Sequence, residues 1–440
     1  MTVTLNYQDF QEYAKPCTLK LKNKVVNCPG KKPNLLIEGE NLDSLTLLKD
    51  KYTGKVDAAY LDPPYNIGGK TTYKTSFNED RWMSFLKHRL DLCKSLLKPD
   101  DSCLILTISY KDVAPVGVLL KECFPKAKIQ LISIYLGSIH PSPAKFSQTN
   151  EFIYFVMIGK SHVERIERDP DFALDHSENI NVWNNLEHTH DSSNDKELYP
   201  IYIKDKKIVH TGDPVDEKDK DKVPDWNGIK PLLPGDGRVW ILRSPTLWKM
   251  YKDGFVRVKD NGKLEYITSG KAKRIRSGEW VLSEDKNTVL NQKQIHIPTT
   301  IWQVRLHSSS NGTNILKQIV GKTDFLYPKS LYNVEDCLSY FVKDKPEAVI
   351  LDPYAGSGTV SHAVFRLNKE YGGNRICIAL TNNENKICES VTWPRLRNSI
   401  LGEKENGKKL EGDYKGIDRS PLSDGFKENL DYFVLDYENK

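Results

Sequence analysis

Short apolar runs alternate with longer amphipathic segments over most of this 440-residue chain, and no other feature constrains its fold as strongly. Between residues 34 and 158, runs such as Val56–Leu61 and Cys103–Ile108 predict strands, and Arg81–Leu97 has apolar residues at a helical period. The alternation resumes after residue 311, with a strand predicted at 348–351 and a helix at about 359–368. Strands separated by helices of this length predict a parallel α/β sheet.

A polar, proline-containing segment interrupts this alternation from about residue 160. Residues 169–225 are rich in acids and lysines, and the β-prone segments that follow, between 239 and 282, carry a basic cluster. We therefore expect one sheet that is interrupted by an insert and then completed. The predicted regions are an N-terminal extension (1–33), a first half of the α/β domain (34–160), the insert (161–300), a second half (301–402) and a C-terminal tail with a strand (403–440).

The composition excludes several classes of protein. With 38% hydrophobic, 10% aromatic and 28% charged residues, the chain is neither disordered, collagen-like nor a coiled coil. No apolar stretch approaches the roughly 18 residues of a membrane span, and we expect a soluble, cytoplasmic protein without membrane contact. The eight cysteines are scattered and form no CxxC pair, which predicts reduced thiols and no metal site. A net charge of +5 permits a polyanionic partner without requiring one.

The first chemical motif, Asp62-Pro63-Pro64-Tyr65, directly follows a predicted strand. Consecutive prolines cannot continue a sheet ladder, so the chain must leave the carboxyl edge of the sheet in a rigid, extended turn. This turn combines a carboxylate, a free carbonyl and an aromatic ring, which suits an exocyclic amine on a planar ring. Asp62 and the Pro63 carbonyl would accept the amine hydrogens, and Tyr65 would stack on the ring. An ordinary strand-to-loop turn is the alternative.

The second motif is a glycine loop, Asp352–Thr359, that follows a predicted strand and opens a helix. Its glycines allow close backbone approach to a ligand, and free amides at the helix start favour an anionic group. No GK[ST] follows, so the loop is not a phosphate P-loop. Glu384, after the next strand, is placed to bind ribose hydroxyls, or is a solvated residue beside a helix N-cap. Asp352 either belongs to the ligand site or bonds the amides of its own loop.

Together the two motifs resemble those of the amino-group DNA methyltransferases that use S-adenosylmethionine. The DPPY motif precedes the glycine loop by 290 positions (352 minus 62), an order that resembles the permuted β class. Glutamine and small-subunit RNA methyltransferases with an NPPY-type motif normally carry the glycine loop first, so the motif order in this chain argues against those two groups. More specifically, the chain resembles the modification (Mod) subunit of type III restriction systems, in the blocks Asn34–Leu45, Trp82–Leu97, Ser308–Thr313, Tyr327–Leu331, Gly358–Val364 and Gly373–Arg395.

This resemblance implies a Rossmann-like S-adenosylmethionine-dependent methyltransferase sheet that is circularly permuted. Residues 34–160 would be its catalytic half, 301–402 its cofactor-binding half, and 161–300 an inserted target-recognition region. It implies a site-specific enzyme that flips an adenine out of double-stranded DNA and methylates its 6-amino group, without a metal. A homodimer and a restriction (Res) subunit are the protein partners that it allows.

The resemblance also implies roles for individual residues. Tyr354 stands where the family usually has phenylalanine and would form an aromatic wall of the cofactor pocket. The catalytic residues would be Asp62, Pro63, Pro64 and Tyr65. The cofactor-binding residues would be Asp352, Tyr354, Ala355, Gly356, Ser357, Gly358, Thr359 and Glu384, with Lys329 and Ser330 near the methionine carboxylate. In the insert, the candidates for DNA contact are Lys271, Lys273, Arg274 and Arg276, for which an exposed basic hairpin without a partner is the alternative.

Two rival functions stay open from the sequence. The first is methylation of the exocyclic amine of cytosine, although that group usually shows serine at the position of Asp62. The second is a non-catalytic nucleic-acid-binding subunit with the same fold, against which the intact Asp62, Tyr65 and glycine loop argue. RNA also stays open as a substrate, because no feature of the sequence recognises the 2′-hydroxyl that distinguishes RNA from DNA.

Overall fold

The structure is a computed structural model, and the chain divides into two compact units. We call them the sheet unit (Met1–Asp175 with Gln294–Lys440) and the insert unit (His176–Lys293). The insert unit lies within the interval 161–300, where the sequence predicts an insert. The residues that the structure describes are 5, 7–65, 79–140, 146–164, 166–168, 182–189, 198–278, 280–283, 287, 294–296, 298–415 and 420–437.

The elements follow the chain in three groups. The first part of the sheet unit contains β1 (Cys17–Val26), β2 (Asn34–Glu38), α1 (Asn41–Tyr52), β3 (Ala58–Leu61), α2 (Glu79–Leu96), β4 (Asp101–Ile108), α3 (Val113–Cys123), β5 (Lys128–His140), β6 (Gln148–Gly159) and β7 (Ile166–Arg168). The insert unit contains β8 (Asn184–Asn185), β9 (Glu187–Thr189), β10 (Ile201–Lys204), β11 (Lys207–Thr211), β12 (Pro231–Leu232), β13 (Arg238–Trp240), α4 (Ser244–Lys252), β14 (Val256–Val258), β15 (Leu264–Tyr266) and α5 (Ser269–Arg276). The second part of the sheet unit contains β16 (Gln294–His296), β17 (Ile301–Trp302), α6 (Ser309–Val320), α7 (Leu331–Val342), β18 (Val349–Asp352), α8 (Thr359–Tyr371), β19 (Ile376–Thr381), α9 (Trp393–Leu401) and β20 (Asn429–Tyr437).

Ten of the described strands form one sheet in the order β1-β20-β2-β19-β18-β3-β4-β6-β5-β17. The strands from β20 to β4 are mutually parallel, whereas β6 runs antiparallel to both β4 and β5. The strand before the DPPY motif, β3, pairs with β18, the strand before the glycine loop, with Ile350 opposite Ala58 and Leu351 opposite Ala59. The predicted permuted, Rossmann-like sheet is thereby confirmed.

Both faces of the central strands are buried, which explains their continuous apolar sequences. Successive residues of β3 point to opposite faces: Tyr60 packs in a core with α6, α7, α8 and α9, whereas Leu61 packs in a second core with α1, α2 and α3. A doubly wound sheet of this kind needs apolar residues at every position of its inner strands. The side chains of β3 are accordingly all buried.

The sheet reverses its winding between β18 and β3. After β18 the chain crosses through α8 to β19 on one side, and after β3 it crosses through α2 to β4 on the other. Ligands of open α/β sheets bind in the crevice outside the carboxyl ends of the strands at such a switch point. Asp62 follows β3 and the glycine loop follows β18, so both motifs lie at this crevice.

The predicted strand of the C-terminal tail is β20, which lies inside the sheet between β1 and β2. Asn34 holds this end of the sheet together, because it accepts a hydrogen bond from the Cys377 amide (2.8 Å) and donates to the Asn429 carbonyl (3.1 Å). None of the helices in the described ranges is long and apolar enough to cross a membrane. All eight cysteines are free of disulfides.

The insert unit has a core of its own, which includes Tyr199, Trp240 and Leu247. The alternative interpretation of its basic cluster as a hairpin is wrong, because residues 269–276 form the helix α5. Alanine, lysine and arginine are good helix formers, and Ala272 buries one face of the helix against the core of the unit. The basic side chains are therefore presented by a helix.

Candidate active site

The DPPY turn directly follows β3 and is contacted by α2. Pro63 is buried, and the indole Nε1 of Trp82 on α2 donates a hydrogen bond to the Pro64 carbonyl (3.0 Å). No donor among the described residues reaches the Pro63 carbonyl. Acceptance of a ligand hydrogen bond by that carbonyl stays a prediction.

Among the described residues, donors reach the Asp62 carboxylate through one of its two oxygens. Thr107 on β4 donates its hydroxyl to Oδ1 (2.6 Å), and the Lys329 ammonium lies 3.2 Å from the same oxygen. Within the part of the chain that the structure describes, no group donates to Oδ2. The Asp62 side chain is 30% exposed. Acceptance of an incoming N–H donor by the second oxygen stays a prediction.

Four side chains form what we call the carboxylate–lysine cluster: Asp62, Tyr65, Glu151 and Lys329. The Lys329 ammonium donates to the Tyr65 hydroxyl (2.8 Å) and to the Glu151 carboxylate, and the Tyr65 hydroxyl also donates to Glu151. Glu151 lies on β6 and its side chain is only 11% exposed. The sequence did not predict Glu151 as a site residue, and its only signal was a carboxylate at the start of the apolar run Phe152–Ile158.

Burial and mutual charge set the protonation of this cluster. Burial raises the pKa of Asp62, the Lys329 charge opposes that rise, and the Glu151 charge adds to it. Burial lowers the pKa of Lys329, but the Asp62 and Glu151 carboxylates outweigh it and raise that pKa above the ordinary lysine value. Burial and the Glu151 charge raise the pKa of Tyr65 well above its ordinary value, so the phenol is neutral. Lys329 is therefore a cation that two carboxylates share.

The glycine loop turns sharply before α8. Gly356 and Gly358 have φ values of 48° and 80°, in the left-handed region that disfavours other residues. Gly358 is the N-cap of α8, and no side chain caps the helix there. The first amides of α8 are consequently left to a ligand or to solvent. The Ala355 amide, in contrast, donates to the Leu380 carbonyl (2.9 Å) and ties the loop to β19.

A buried arginine supports this loop from inside the protein. Arg395 Nη1, on α9, donates to the Ser357 hydroxyl (2.9 Å) and to the Thr359 hydroxyl (2.7 Å). Burial lowers the pKa of Arg395 to about 10, so it stays charged at neutral pH. Because these hydroxyls face Arg395, Ser357 and Thr359 would meet a cofactor through their backbone. The sequence placed Arg395 in a family block but did not predict its contacts with the loop.

Asp352 and Tyr354 begin the loop. The Tyr354 amide donates to Asp352 Oδ1 (3.2 Å). Asp352 therefore bonds an amide of its own loop, which is the structural alternative to a role in the ligand site. Burial raises the pKa of Asp352 well above its ordinary value, and the Asp62 charge adds to that rise. The Tyr354 ring lies 6.2 Å from the Phe85 ring, and among the described residues its buried hydroxyl has no hydrogen-bond partner. Contact of either residue with a cofactor stays a prediction.

The remaining candidates lie in three places. Glu384 is partly exposed in a short turn after β19, whose parallel pairing with β18 puts it at the same sheet edge as the glycine loop. Ser330 precedes α7 and donates its hydroxyl to the Leu306 carbonyl (2.6 Å). In the insert unit, Lys273 and Arg274 are exposed on α5 and Lys271 is half-buried. Arg276 forms an ion pair with Asp253, so part of its charge is already matched.

Comparisons with known proteins identify the family of the chain. Residues 56–391 match the model of a DNA methylase family, and the chain belongs to that family. It is 26% identical over 399 residues to the type III restriction-modification enzyme EcoPI Mod subunit of Escherichia phage P1, covering 80% of this chain and 58% of that subunit. It is also 26% identical over 370 residues to the type II methyltransferase M.KpnI of Klebsiella pneumoniae, covering 78% of this chain and 79% of that protein.

Among solved structures, the chain is similar to a DNA modification methylase of Thermus thermophilus complexed with S-adenosyl-L-methionine. That similarity has a TM-score of 0.36 and 10% identity, and it covers 83% of this chain and 92% of the other. The family match and the relatives confirm the resemblance that the two motifs predict. The chain spans 58% of the length of the EcoPI Mod subunit.

The glycine loop yields a prediction with a matched control. A Cβ at Gly358 would lie 3.2 Å from Leu396 Cδ2 and 3.3 Å from Thr392 Cγ2, and φ is +80°. Gly407 has nearly the same φ, +79°, but no heavy atom within 4 Å. Gly407→Ala should cost about 1–2 kcal/mol of unfolding free energy from backbone conformation alone. Gly358→Ala should cost more, measured by urea unfolding, and equal losses would show that contacts at Gly358 are unimportant.

Proposed function

We propose that this protein is a site-specific DNA methyltransferase that transfers a methyl group from S-adenosylmethionine to the 6-amino group of adenine. One observation carries the proposal: Asp62 follows β3 at the switch point beside the glycine loop of β18, and one of its carboxylate oxygens receives no donor from the described residues. A hydrogen-bond acceptor for an amine and the start of a helix that no side chain caps thus share one crevice.

The DPPY turn would hold the target base after it has left the duplex. Flipping costs a few kcal/mol, and stacking on Tyr65 would recover about 1–3 kcal/mol of it. Hydrogen bonds from the amine to Asp62 and to the Pro63 carbonyl would draw the nitrogen lone pair out of conjugation with the ring. Oriented in this way, the nitrogen faces the methyl donor for an in-line displacement. Positioning of this kind is worth several kcal/mol of the barrier.

The residues around the glycine loop fit S-adenosylmethionine, which supplies the methyl group when bound. The uncapped amides at the start of α8 suit its polar groups, and Glu384 at the same edge would bind its ribose. Asp352 and Tyr354–Thr359 would line the pocket. Lys329 and Ser330, at the start of α7, would lie near the methionine carboxylate, because the first turn of a helix favours a negative charge.

Duplex DNA would contact the insert unit, where α5 presents Lys271, Lys273, Arg274 and Arg276 for phosphates or bases. A homodimer and association with a restriction (Res) subunit stay predictions from the resemblance. Methylation of the cytosine amine remains the second candidate, because the same turn would hold either amine. The geometry of the turn does not favour cytosine over adenine. Enzymes that methylate the cytosine amine usually have serine at the position of Asp62, which argues for adenine.

The role of Asp62 can be tested directly. Asp62→Ala should lower methyl transfer to unmethylated DNA by roughly a hundredfold or more, since it removes the acceptor that orients the amine. Binding of S-adenosylmethionine, measured by calorimetry, should stay close to that of the wild type. Asp50→Ala, an exposed aspartate on α1, is the control and should leave both measurements unchanged.

Mass spectrometry of nucleosides from the DNA treated with wild-type protein identifies the product. We expect N6-methyladenine. N4-methylcytosine would contradict the assignment to adenine, and DNA without any added methyl group would contradict the proposed function.

Removing the Thr107 hydroxyl should change the pH dependence of activity. That hydroxyl donates to Asp62 and lowers the pKa of that carboxyl, which burial raises. Thr107→Val should therefore raise this pKa further. Because ionised Asp62 is the better acceptor, kcat/KM should begin to fall at a higher pH as the solution is acidified. Thr107→Ser keeps the hydroxyl and should keep the wild-type profile, and an unshifted profile in Thr107→Val would contradict the role of this bond.

The contribution of α5 to DNA binding should be electrostatic. Lys273→Ala should weaken binding to different duplex sequences by a similar factor and reduce the salt slope of the binding constant by about 1. Lys218→Ala changes another exposed lysine of the insert unit and serves as the control. Equal effects of the two substitutions, measured by fluorescence anisotropy, would argue against a specific role of α5.

A further inference from the structure

The Lys329 ammonium contacts Asp62 and Tyr65, two residues that the proposed function assigns to the target base. Its Nζ is 3.2 Å from Asp62 Oδ1, 2.8 Å from the Tyr65 hydroxyl and 4.9 Å from the centroid of the Tyr65 ring. An ammonium, like an exocyclic amine, is a nitrogen that offers several N–H donors. The Lys329 ammonium thus makes the kind of N–H contact with Asp62 that a target amine would make.

The backbone around Lys329 is held in place by close contacts. Gly312 on α6 packs so tightly that a Cβ there would lie 2.2 Å from the Pro328 carbonyl oxygen and 2.6 Å from that of Lys329. Tyr327 has a φ of 57°, which is unfavourable for a tyrosine, although its side chain is 75% exposed. Strained residues of this kind persist where the surroundings over-determine the chain, and they cluster at functional sites. The turn that delivers Lys329 is thus a constrained structure.

Glu151 gives the ammonium a second carboxylate partner. It bonds both Lys329 and Tyr65 from β6, and its side chain is more buried than that of Asp62 (11% against 30% exposed). An ammonium left without a partner in a buried site would cost several kcal/mol. With Glu151 present, Lys329 can leave Asp62 and remain paired.

We infer, on the basis of the proposed function, that the target amine displaces Lys329 from Asp62 and that Glu151 retains the displaced ammonium. Glu151 is in this sense a positioning residue: it acts on the reaction through Lys329 and Tyr65. Before a base enters, the Lys329 ammonium keeps Asp62 paired, and its charge opposes the rise that burial causes in the pKa of that carboxyl. After the base enters, Oδ1 as well as Oδ2 of Asp62 can accept hydrogens from the amine, while the ammonium stays with Glu151.

A double-mutant cycle tests the exchange. In Glu151→Gln, Lys329 has only Asp62 as a carboxylate partner, so kcat/KM for DNA at saturating S-adenosylmethionine should fall by roughly tenfold, equivalent to about 1.4 kcal/mol. Adding Lys329→Met to that variant removes the competitor and should restore part of the loss. A double variant as impaired as Glu151→Gln, or more so, would overturn the inference. Glu403→Gln and Lys409→Met, at a Lys–Glu pair 3.0 Å apart that is not part of the cluster, form the control cycle and should show no such rescue.

The pH profile supplies a measurement that a purely structural role of Glu151 would not move. The Glu151 charge raises the pKa of Asp62 and the Lys329 charge lowers it. Glu151→Gln should therefore shift the acidic limb of kcat/KM to lower pH, and Lys329→Met should shift it to higher pH. Shifts in the same direction, or none, would contradict the exchange.

Lys329→Met alone provides a test that does not depend on folding of the Glu151 variants. Without the competing ammonium, KM for DNA should fall at saturating S-adenosylmethionine, and an increase would overturn the inference. Wild-type protein that methylates no DNA would defeat the proposed function and this inference with it. An active wild type without rescue in the double variant would defeat the exchange alone.

Discussion

The parallel pairing of β3 with β18 is the constraint on which the site depends. It places Ala58 and Ala59 beside Ile350 and Leu351, although almost 300 residues separate the two strands in sequence. The entropic cost of closing such a loop grows only logarithmically with its length, and burial of both sheet faces offsets it. An insert such as His176–Lys293 can therefore interrupt the sequence of the sheet unit at a small additional entropic cost.

The parts of the site that the sequence predicted are those with a local signal. The double proline after a strand marked Asp62, and glycines between a strand and a helix marked residues 356–358, because each pattern follows from backbone geometry within a few residues. Rules of sheet topology then sufficed to expect both motifs at one edge. The permuted order of the halves required the resemblance to a known family.

The parts that the sequence did not predict depend on contacts between distant segments. Glu151 becomes part of the site only because β6 packs antiparallel to β4 and brings its first residues close to Asp62 and Tyr65. Arg395 supports the glycine loop through the packing of α9, which no local pattern encodes. The error at α5 has a different origin: in short segments of lysine and arginine, helical and extended patterns differ little, and the buried Ala272 decides between them.

The charges of the site are divided between its two halves. Beneath the glycine loop, Arg395 donates to neutral hydroxyls, so its charge is solvated by dipoles and not neutralised by them. The uncapped start of α8 adds a partial positive charge on the same side. At the DPPY turn, two carboxylates share a single ammonium, which leaves an excess of negative charge when both are ionised. Such a division suits a methyl donor with a sulfonium, because the excess negative charge at the DPPY turn would attract that cation. The orientation of the donor, and hence the direction from which its methyl group approaches Asp62, would then be selected by electrostatics before any contact with DNA is made.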